Sequence, residues 1–244
     1  MAGETIDRVQ VYYGKQIQSR DDFQCSIKCP TKIPKSILNA MKEVHDDVTA
    51  KYYGCGLCIP SCLEGCSVLD LGSGAGRDCF IASKLVGQHG HVTGVDITEE
   101  MVEFADKYKE YHRKQFGYDK SNINFTLGYM EKLGDAQIQS NTYDIIISNC
   151  VICLSSNKTA VLAEAFRVLK PGGELYFSDM YSDQPIPDSI RNSDDAVLWG
   201  EGLSGALCWT ELMDIAGKIG FTKPRLVSTS EIIVKEELQK QVCM

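Results

Sequence analysis

Glycines and acidic residues occur within residues 67–96 in an order that suits a nucleotide ligand. A short apolar run ends at Asp70, and three glycines follow at alternate positions, Gly72, Gly74 and Gly76. Such glycines let the backbone turn sharply and approach a ligand, because no Cβ stands in the way. A second apolar run ends at Asp96, and an acid at that place suits the hydroxyls of a ribose. The stretch therefore predicts a nucleotide-binding turn.

The charge beside the glycines narrows the class of ligand. The spacing here is Gly-x-Gly-x-Gly, whereas nicotinamide-binding folds carry Gly-x-Gly-x-x-Gly. Asp70 precedes the turn, and its negative charge would repel a pyrophosphate. S-adenosylmethionine has a ribose, a cationic sulfonium and an ammonium group, and it carries no phosphate. The pattern therefore favours S-adenosylmethionine as the cofactor.

The elements that position these residues alternate between strands and helices. Strands are expected near 66–71, 91–96, 122–127, 143–149 and 173–179, and helices near 77–87, 99–116 and 157–169. This alternation predicts an α/β fold with a doubly wound parallel sheet. Ligands of such sheets bind at the carboxyl ends of the strands, so Asp70, Asp96 and Asn149 are expected to meet at one edge.

The rest of the chain divides around this sheet. Residues 1–65 are expected to form an N-terminal helical and cysteine-bearing extension, with a short helix from Thr5 to about Ser19 and a longer one from Pro34 to about Tyr52. Residues 66–180 are expected to form the cofactor-binding core. Residues 181–244 are expected to supply a substrate-site loop and the C-terminal part of the fold, with a helix near 209–219 and a final strand pair near 225–235.

Composition excludes several classes of partner. The 244 residues carry a formal net charge of −8, whereas phosphate contacts need a basic face. No apolar run approaches the roughly 20 residues that span a membrane. We therefore expect a cytoplasmic monomer that acts on a small molecule, with neither nucleic acid nor a membrane as partner.

Cysteine is unusually frequent, with eleven residues in the chain. No secretory signal is evident, which favours metal binding, catalysis or redox chemistry over disulfides. Four closely spaced thiols suggest a zinc or iron–sulfur site, namely Cys55, Cys58, Cys62 and Cys66. Structural zinc sites, however, typically pair two knuckles across a longer separation. Some of these thiols are instead expected to be small core residues.

Side chains that follow the later strands are placed to contact the cofactor. Tyr129 and Met130 follow the third strand, where they could sandwich an adenine, although a packed strand end is the alternative. Asn149 could contact the methionine moiety, with turn formation as the alternative. Cys150 comes next, over the expected methyl donor. A thiol at that position suggests a thiophilic substrate.

Longer motifs resemble the arsenite methyltransferases over nearly the whole chain. They are 44–48, 52–57, 69–78, 148–151, 172–179, 198–201 and 205–207. The Tyr-Gly-Cys-Gly and Ser-Asn-Cys-Val runs are far more specific than the glycine turn. The resemblance implies a Rossmann-like methyltransferase that transfers a methyl group from S-adenosylmethionine to thiol-bound trivalent arsenic, as arsenite or methylarsenite. It also implies a thiol reductant, glutathione or thioredoxin, as co-substrate.

The resemblance further assigns residues to roles. Cys55 and Cys150 match two arsenic-binding cysteines and are the expected catalytic residues. Cys25 is the better match for an N-terminal ligand, with Cys29 close behind. The residues expected to bind the cofactor are Asp70, Gly72, Ser73, Gly74, Asp96, Ile97, Met130 and Asn149. Glu201 is expected to contact the substrate.

One position departs from the family pattern. The fourth family cysteine follows Trp-Gly-Glu, where this chain has Gly202. Cys208, Cys153 or Cys58 are the candidates to replace it, or the site holds arsenic with fewer thiolates. Gly202 also motivates a second hypothesis, a methyltransferase for a small organic substrate. A third is a non-enzymatic protein that binds the donor or sequesters thiophilic ions.

Overall fold

Five parallel strands form the central sheet of the described chain. The computed structural model describes residues 33–235 together with 9, 10, 12, 13 and 25–27. Its strands are β1 Cys25–Ile27, β2 Ser67–Leu71, β3 His91–Asp96, β4 Ile123–Leu127, β5 Tyr143–Asn149, β6 Leu169–Ser178, β7 Tyr181–Ser182, β8 Leu207–Cys208 and β9 Ile232–Val234. The central sheet has the order β4-β3-β2-β5-β6, with every neighbouring pair parallel. The predicted α/β fold is confirmed.

Helices pack on both faces of this sheet. They are α1 Lys35–Lys42, α2 Asp46–Ala50, α3 Arg77–Val86, α4 Glu99–Lys107, α5 Lys109–Phe116, α6 Lys158–Val168, α7 Asp188–Arg191, α8 Ala196–Gly200 and α9 Trp209–Ile219, with a 3₁₀ helix at Ile152–Leu154. Successive residues of a strand face opposite sides. Val68 accordingly lies in the same buried cluster as Phe80 of α3, and Leu69 in the same cluster as Val161 of α6. In the described ranges, no helix is both long and apolar enough to cross a membrane.

The carboxyl ends of three neighbouring strands meet at one edge of the sheet. Leu71 of β2 pairs with Val95 of β3 and with Ser148 of β5. The glycine turn, Asp96 and Asn149 come directly after these paired residues. The sheet register therefore brings together groups that are far apart in the sequence, as the strand pattern predicted.

The predicted helix from Pro34 to Tyr52 is two helices, α1 and α2. His45 lies between them with an extended backbone, and its Nδ1 accepts a hydrogen bond from the N–H of Asp47 at 3.1 Å. The N–H of His45 donates to Nε2 of His112 in α5 at 3.2 Å. Apolar periodicity could not reveal this break, because the partner lies 67 positions away. The predicted helix at 99–116 is likewise divided at Tyr108.

The C-terminal part differs from the expectation in its strands. The final strand pair near 225–235 is wrong, because β9 pairs antiparallel with β1 instead. The expected strand at 173–179 begins earlier, as β6, and its pairing with β5 jumps from Leu169 to Glu174, past Gly172 and Gly173. The predicted helix at 209–219 is confirmed as α9. Most of the predicted helix from Thr5 to Ser19 lies outside the described residues.

Candidate active site

Two glycines of the turn between β2 and α3 are required for different reasons. Gly72 has a φ of +72°, and a Cβ on it would lie 2.4 Å from Cγ1 of Val151. Gly74 has a φ of +50°, and a Cβ on it would meet no atom within 4 Å. The N–H of Gly74 donates to Oδ2 of Asp96 at 2.8 Å. Packing therefore demands glycine at 72, whereas glycine at 74 keeps space open beside Asp96.

That space is part of a cavity of about 1110 Å³, a volume that includes its open mouth. All eight residues expected to bind the cofactor line it: Asp70, Gly72, Ser73, Gly74, Asp96, Ile97, Met130 and Asn149. Tyr129 and Cys150 line it as well. We call this space the donor cavity.

Three acids line the donor cavity, and burial makes each of them harder to ionise. Burial, and then the charge of Asp78, raises the pKa of Asp70 to about 8. Burial also raises the pKa of Asp78 and that of Asp96. Arg77 opposes this rise in the pKa of Asp78, since its Nη1 lies 2.9 Å from Oδ1 of Asp78. A cationic ligand would stabilise the ionised carboxylates, whereas a polyphosphate would be repelled.

Two polar groups in the donor cavity can form further hydrogen bonds with a ligand that carries hydroxyl groups. Asp96 accepts the N–H groups of Gly74 and Thr98, one on each oxygen, at 2.8 and 2.9 Å, and each oxygen retains a further lone pair. Within the described chain, the buried Oγ of Ser73 has no hydrogen-bond partner. These groups and the buried acids fit S-adenosylmethionine, which has a ribose and two cationic centres.

Asn149 holds a loop from the N-terminal side of the chain against the end of β5. Its Oδ1 accepts the N–H groups of Cys55 and Gly56, each at 3.2 Å. Its Nδ2 contacts the hydroxyl of Tyr52 at 2.6 Å, the carbonyl of Gly56 at 2.8 Å and Oδ2 of Asp78 at 2.9 Å. The amide that was expected to contact the cofactor thus also positions the loop at 52–56. Without Asn149, those loop groups would lose their shared partner.

Three thiols meet beside this loop, and we call Cys55, Cys150 and Cys153 the thiol group. The sulfur of Cys150 is hydrogen-bonded to both of the others. Cys150 has a φ of +59°, so the chain turns sharply there before the 3₁₀ helix that carries Cys153. The sulfurs of Cys150 and Cys153 and a carboxylate oxygen of Asp179 all lie within 4.8 Å of one another. The set resembles a site for a thiophilic ion.

The three thiols differ in acidity. The hydrogen bond from Cys150 lowers the pKa of Cys55, although burial opposes it. The pKa of Cys150 is raised by the hydrogen bonds of this residue to Cys153 and Cys55, and then by burial. A hydrogen bond from Cys150 lowers the pKa of Cys153, but burial and the charge of Asp179 outweigh it and raise the value to about 11. Cys55 is therefore the first of the three to become a thiolate.

Cys208 and Glu201 were also predicted to bind the substrate. Cys208 precedes α9, where its sulfur lies 3.2 Å from Oγ1 of Thr210 and its N–H donates to Glu211. It does not belong to the group formed by Cys150, Cys153 and Asp179. Glu201 is buried and accepts a hydrogen bond from the hydroxyl of Tyr12.

Cys25 and Cys29 are the N-terminal candidates. Cys25 lies in β1 opposite Val234. Cys29 lies outside the described residues. The four closely spaced cysteines at 55, 58, 62 and 66 form no common cluster in the described chain, since Cys58 is buried and Cys62 is exposed. A zinc or iron–sulfur site made of these four thiols is therefore not supported.

Sequence reasoning overlooked several groups around the thiols. Tyr52 and Asp78 share Asn149, and the ring of Tyr52 also packs on the guanidinium of Arg77 at 3.8 Å. Ser178 contacts the sulfur of Cys55 through its hydroxyl at 3.5 Å. Cys153, by contrast, was among the candidates to replace the cysteine missing at 202, and its Cys-x2-Cys spacing from Cys150 was a further signal.

Comparison with known proteins adds to this geometry. Residues 63–223 match a protein family described as a methyltransferase domain. The chain is 50% identical to the arsenite methyltransferase of Homo sapiens over 237 residues, which cover 96% of this chain and 63% of that protein. It is 46% identical to the arsenite methyltransferase of Aquipseudomonas alcaligenes, covering 94% of this chain and 66% of that protein. The chain thus spans slightly less than two thirds of these curated relatives.

A solved structure extends the likeness to three dimensions. The crystal structure of an arsenic(III) S-adenosylmethionine methyltransferase from Chlamydomonas reinhardtii superimposes with a TM-score of 0.81 at 46% identity. The match covers 87% of this chain and 70% of that chain. Sequence and fold therefore point to the same group of proteins.

Proposed function

The chain belongs to the arsenite methyltransferases, a family with a methyltransferase domain, and from this premise we propose that it methylates thiol-bound trivalent arsenic. Arsenite and methylarsenite are the proposed substrates. The observation that carries the proposal is the position of Cys150, which lines the donor cavity and is hydrogen-bonded to Cys55. One thiol thus faces both the methyl donor and a second sulfur ligand.

Residues of the donor cavity bind and orient the cofactor in this proposal. Asp96 accepts ribose hydroxyls, and Gly74 leaves the space that they occupy. Asp70 offsets the cationic charge of the ligand, while Met130 packs against the adenine. Gly72, Ser73, Ile97 and Asn149 complete the set. S-adenosylmethionine, when bound there, supplies an electrophilic methyl group on a sulfonium.

Cys55 and Cys150 hold the arsenic as thiolates, since soft sulfur ligands suit a soft, thiophilic centre. The lone pair of arsenic forms the new As–C bond while the sulfonium C–S bond breaks, so no general base has to act on arsenic. The chain contributes position and a water-poor setting, which Asn149 supports by fixing the loop that carries Cys55. Glu201 and Cys25 belong to the proposed substrate side, as does Cys208.

The transfer leaves arsenic two electrons more oxidised, and a thiol co-substrate restores the trivalent state. We infer that glutathione or thioredoxin is this thiol co-substrate. We also infer that the protein is a cytoplasmic monomer. The eight cysteines between residues 33 and 235 are free thiols, which supports a reducing compartment. The division into 1–65, 66–180 and 181–244 is part of the same proposal.

The test is incubation of the purified chain with labelled S-adenosylmethionine, arsenite and excess glutathione, followed by arsenic speciation. Methylated arsenic is expected from the wild type and from Cys62→Ser, whose thiol is exposed and outside the thiol group. Cys150→Ser is expected to remove it. Donor binding without any methylated arsenic would refute the proposal.

A methyltransferase for an organic substrate is the alternative that this experiment also addresses. That hypothesis rests on Gly202, and it requires Cys150→Ser to retain methyl transfer to the organic acceptor. The identity to arsenite methyltransferases does not favour it. A protein that only sequesters thiophilic ions would bind arsenite tightly without consuming the donor.

A further inference from the structure

Cys153 occupies a position that neither the donor cavity nor the Cys55–Cys150 pair explains. We propose that its sulfur is the third ligand of arsenite, together with Cys55 and Cys150. The proposal rests on the proposed function, because it concerns the substrate of that same site. Cys153 is buried, and it does not line the donor cavity, so its thiol has no evident part in cofactor binding.

Local backbone geometry places the sulfur of Cys153 on the same side as that of Cys150. The left-handed conformation of Cys150, with a φ of +59°, lets β5 turn directly into the 3₁₀ helix Ile152–Leu154. This turn brings the two sulfurs within 4.8 Å of each other, close enough to share one ion.

Asp179 fixes this arrangement from the neighbouring strand. Its Oδ2 accepts the N–H of Cys153 at 2.9 Å, and its Oδ1 accepts the N–H of Met180 at 2.9 Å. Asp179 thus holds the backbone of Cys153, and its carboxylate also accepts a hydrogen bond from the Cys153 thiol. When that thiol gives up its proton to bind a ligand, the backbone hydrogen bond stays in place. Asp179 is therefore a positioning residue for the third thiol.

The absence of a side chain at Gly202 makes room for this sulfur. A Cβ on Gly202 would lie 2.8 Å from the sulfur of Cys153 and 3.1 Å from Cε of Met180. The thiol of Cys153 therefore fills the space into which a residue at 202 would project. A side chain at 202 and the thiol of Cys153 therefore compete for one space, which Cys153 fills in this chain.

Cys208 is a weaker candidate for the third ligand. Its sulfur contacts Thr210, and its backbone N–H donates to Glu211 at 3.0 Å, so its contacts are those of the residue that begins α9. Cys208 also pairs with Ser182 in a short parallel sheet. Moving its thiol to the other three would disrupt both arrangements.

Binding of arsenite at three thiols is balanced without a redox step. Arsenous acid, As(OH)₃, exchanges three As–O bonds for three As–S bonds, and the three thiol protons leave in three water molecules. The arsenic lone pair is retained for methyl transfer. Methylarsenite has only two exchangeable As–O bonds, so it needs two thiols. Cys153 should therefore matter for arsenite and be dispensable for methylarsenite.

Arsenic X-ray absorption and equilibrium titration of the whole chain test this inference. The wild type is expected to show three sulfur neighbours with arsenite, and Cys153→Ser two. We expect Cys153→Ser to weaken arsenite binding by about 10- to 100-fold while methylarsenite affinity changes by less than about twofold. Cys62→Ser, at an exposed thiol, is the matched control, and donor affinity and thermal melting report on folding for every variant.

The outcomes separate the inference from the function that it builds on. Three sulfur neighbours and unchanged affinity in Cys153→Ser would overturn the inference alone, and a loss in Cys208→Ser instead would identify Cys208 as the ligand. A wild type that binds no arsenite would refute both. Should Cys153→Ser fold poorly, Cys153→Ala combined with Gly202→Cys provides a second test. In this double variant we expect arsenite to have three sulfur neighbours again, and only two sulfur neighbours would contradict the inference.

Discussion

The donor cavity and the thiol group lie side by side, yet they are built in different ways. The principal groups of the donor cavity come from the glycine turn at 70–78 and the end of β3 at Asp96, so two short neighbouring segments supply them. The thiol group combines the loop at 52–56, the turn at 150–153 and the end of β6. It depends on side-chain hydrogen bonds between distant segments.

This difference implies that a substitution can impair one of the two sites while the other still binds its ligand. A local turn is stabilised by its own backbone and by the sheet that it follows, so most distant substitutions leave it intact. An assembled site needs each segment docked within a fraction of an ångström, and one lost hydrogen-bond partner can release a ligand. Asn149 is the residue at which the two sites join, because it lines the donor cavity and holds the loop of Cys55.

Asn149→Asp should have the largest effect on arsenic methylation. The carboxylate can still accept the N–H of Cys55, but it cannot donate to Gly56, and it would be repelled by Asp78. We expect kcat with arsenite to fall by about 100-fold or more, because the loop of Cys55 is no longer held. Donor affinity, measured by calorimetry, should fall less.

Asn157→Asp provides the matched control for this substitution. Asn157 caps α6 by accepting the N–H of Ala160, a role that aspartate fills equally well, so activity should be retained. Equal losses of turnover and donor affinity in Asn149→Asp would show that the two sites are not separable.

Alanine substitutions at Gly72 and Gly74 should differ in their effects on the free energy of unfolding and on donor affinity. Gly72→Ala places a Cβ 2.4 Å from Val151 in a left-handed backbone, so we expect the free energy of unfolding to fall by about 3 kcal/mol. Gly74→Ala meets no protein atom, so it should cost about 1–2 kcal/mol for the backbone alone. Its methyl group should weaken donor binding by about tenfold. Urea unfolding and donor titration measure both quantities, and equal stability losses would contradict this assignment.

Donor affinity should rise with pH until about pH 8. Burial and then Asp78 raise the pKa of Asp70 to about 8, so the free protein keeps a proton on Asp70 below that pH. A cationic ligand favours the carboxylate, and its binding releases that proton. Affinity therefore increases by up to about tenfold per pH unit below 8 and then levels off. Calorimetry from pH 6 to 9 measures the rise, and an unchanged slope in Asp70→Asn would assign it to another group.

The smallest expected effect concerns the support of α2, which leads into the loop of Cys55. Burial lowers the pKa of His112 to about 4, and its Nε2 accepts the N–H of His45. A folded-state pKa below the unfolded one means that stability is complete above about pH 6.5 and declines as pH falls towards 4. We expect a loss of about 1 kcal/mol in the free energy of unfolding between pH 7 and pH 5, after allowance for partial solvent screening.

Urea unfolding at several pH values measures this loss. His112→Gln should flatten the dependence on pH, whereas His89→Gln, at an exposed histidine, should leave it unchanged. An identical slope in wild type and His112→Gln would mean that other groups carry the acid sensitivity.

Several expectations from the sequence were confirmed, and the failures have a common cause. The order of strands and helices from residue 67 to residue 178 followed from apolar periodicity. The eight residues expected at the cofactor line one cavity, and their binding roles stay a prediction. The break at His45 was missed because its cause is a hydrogen bond to His112. The strand pair near 225–235 was wrong because β9 has its partner in β1, at the other end of the chain.

The sequence by itself determined the sheet, the glycine turn and the acids at the strand ends, because these depend on contacts between near neighbours and on the period of apolar residues. Only the tertiary structure decided which of eleven cysteines meet. Cys55 and Asn149 are 94 positions apart, and the space for Cys153 depends on a missing side chain at Gly202. Spacing along the chain does not encode such distances, because they are set only when the segments pack against one sheet.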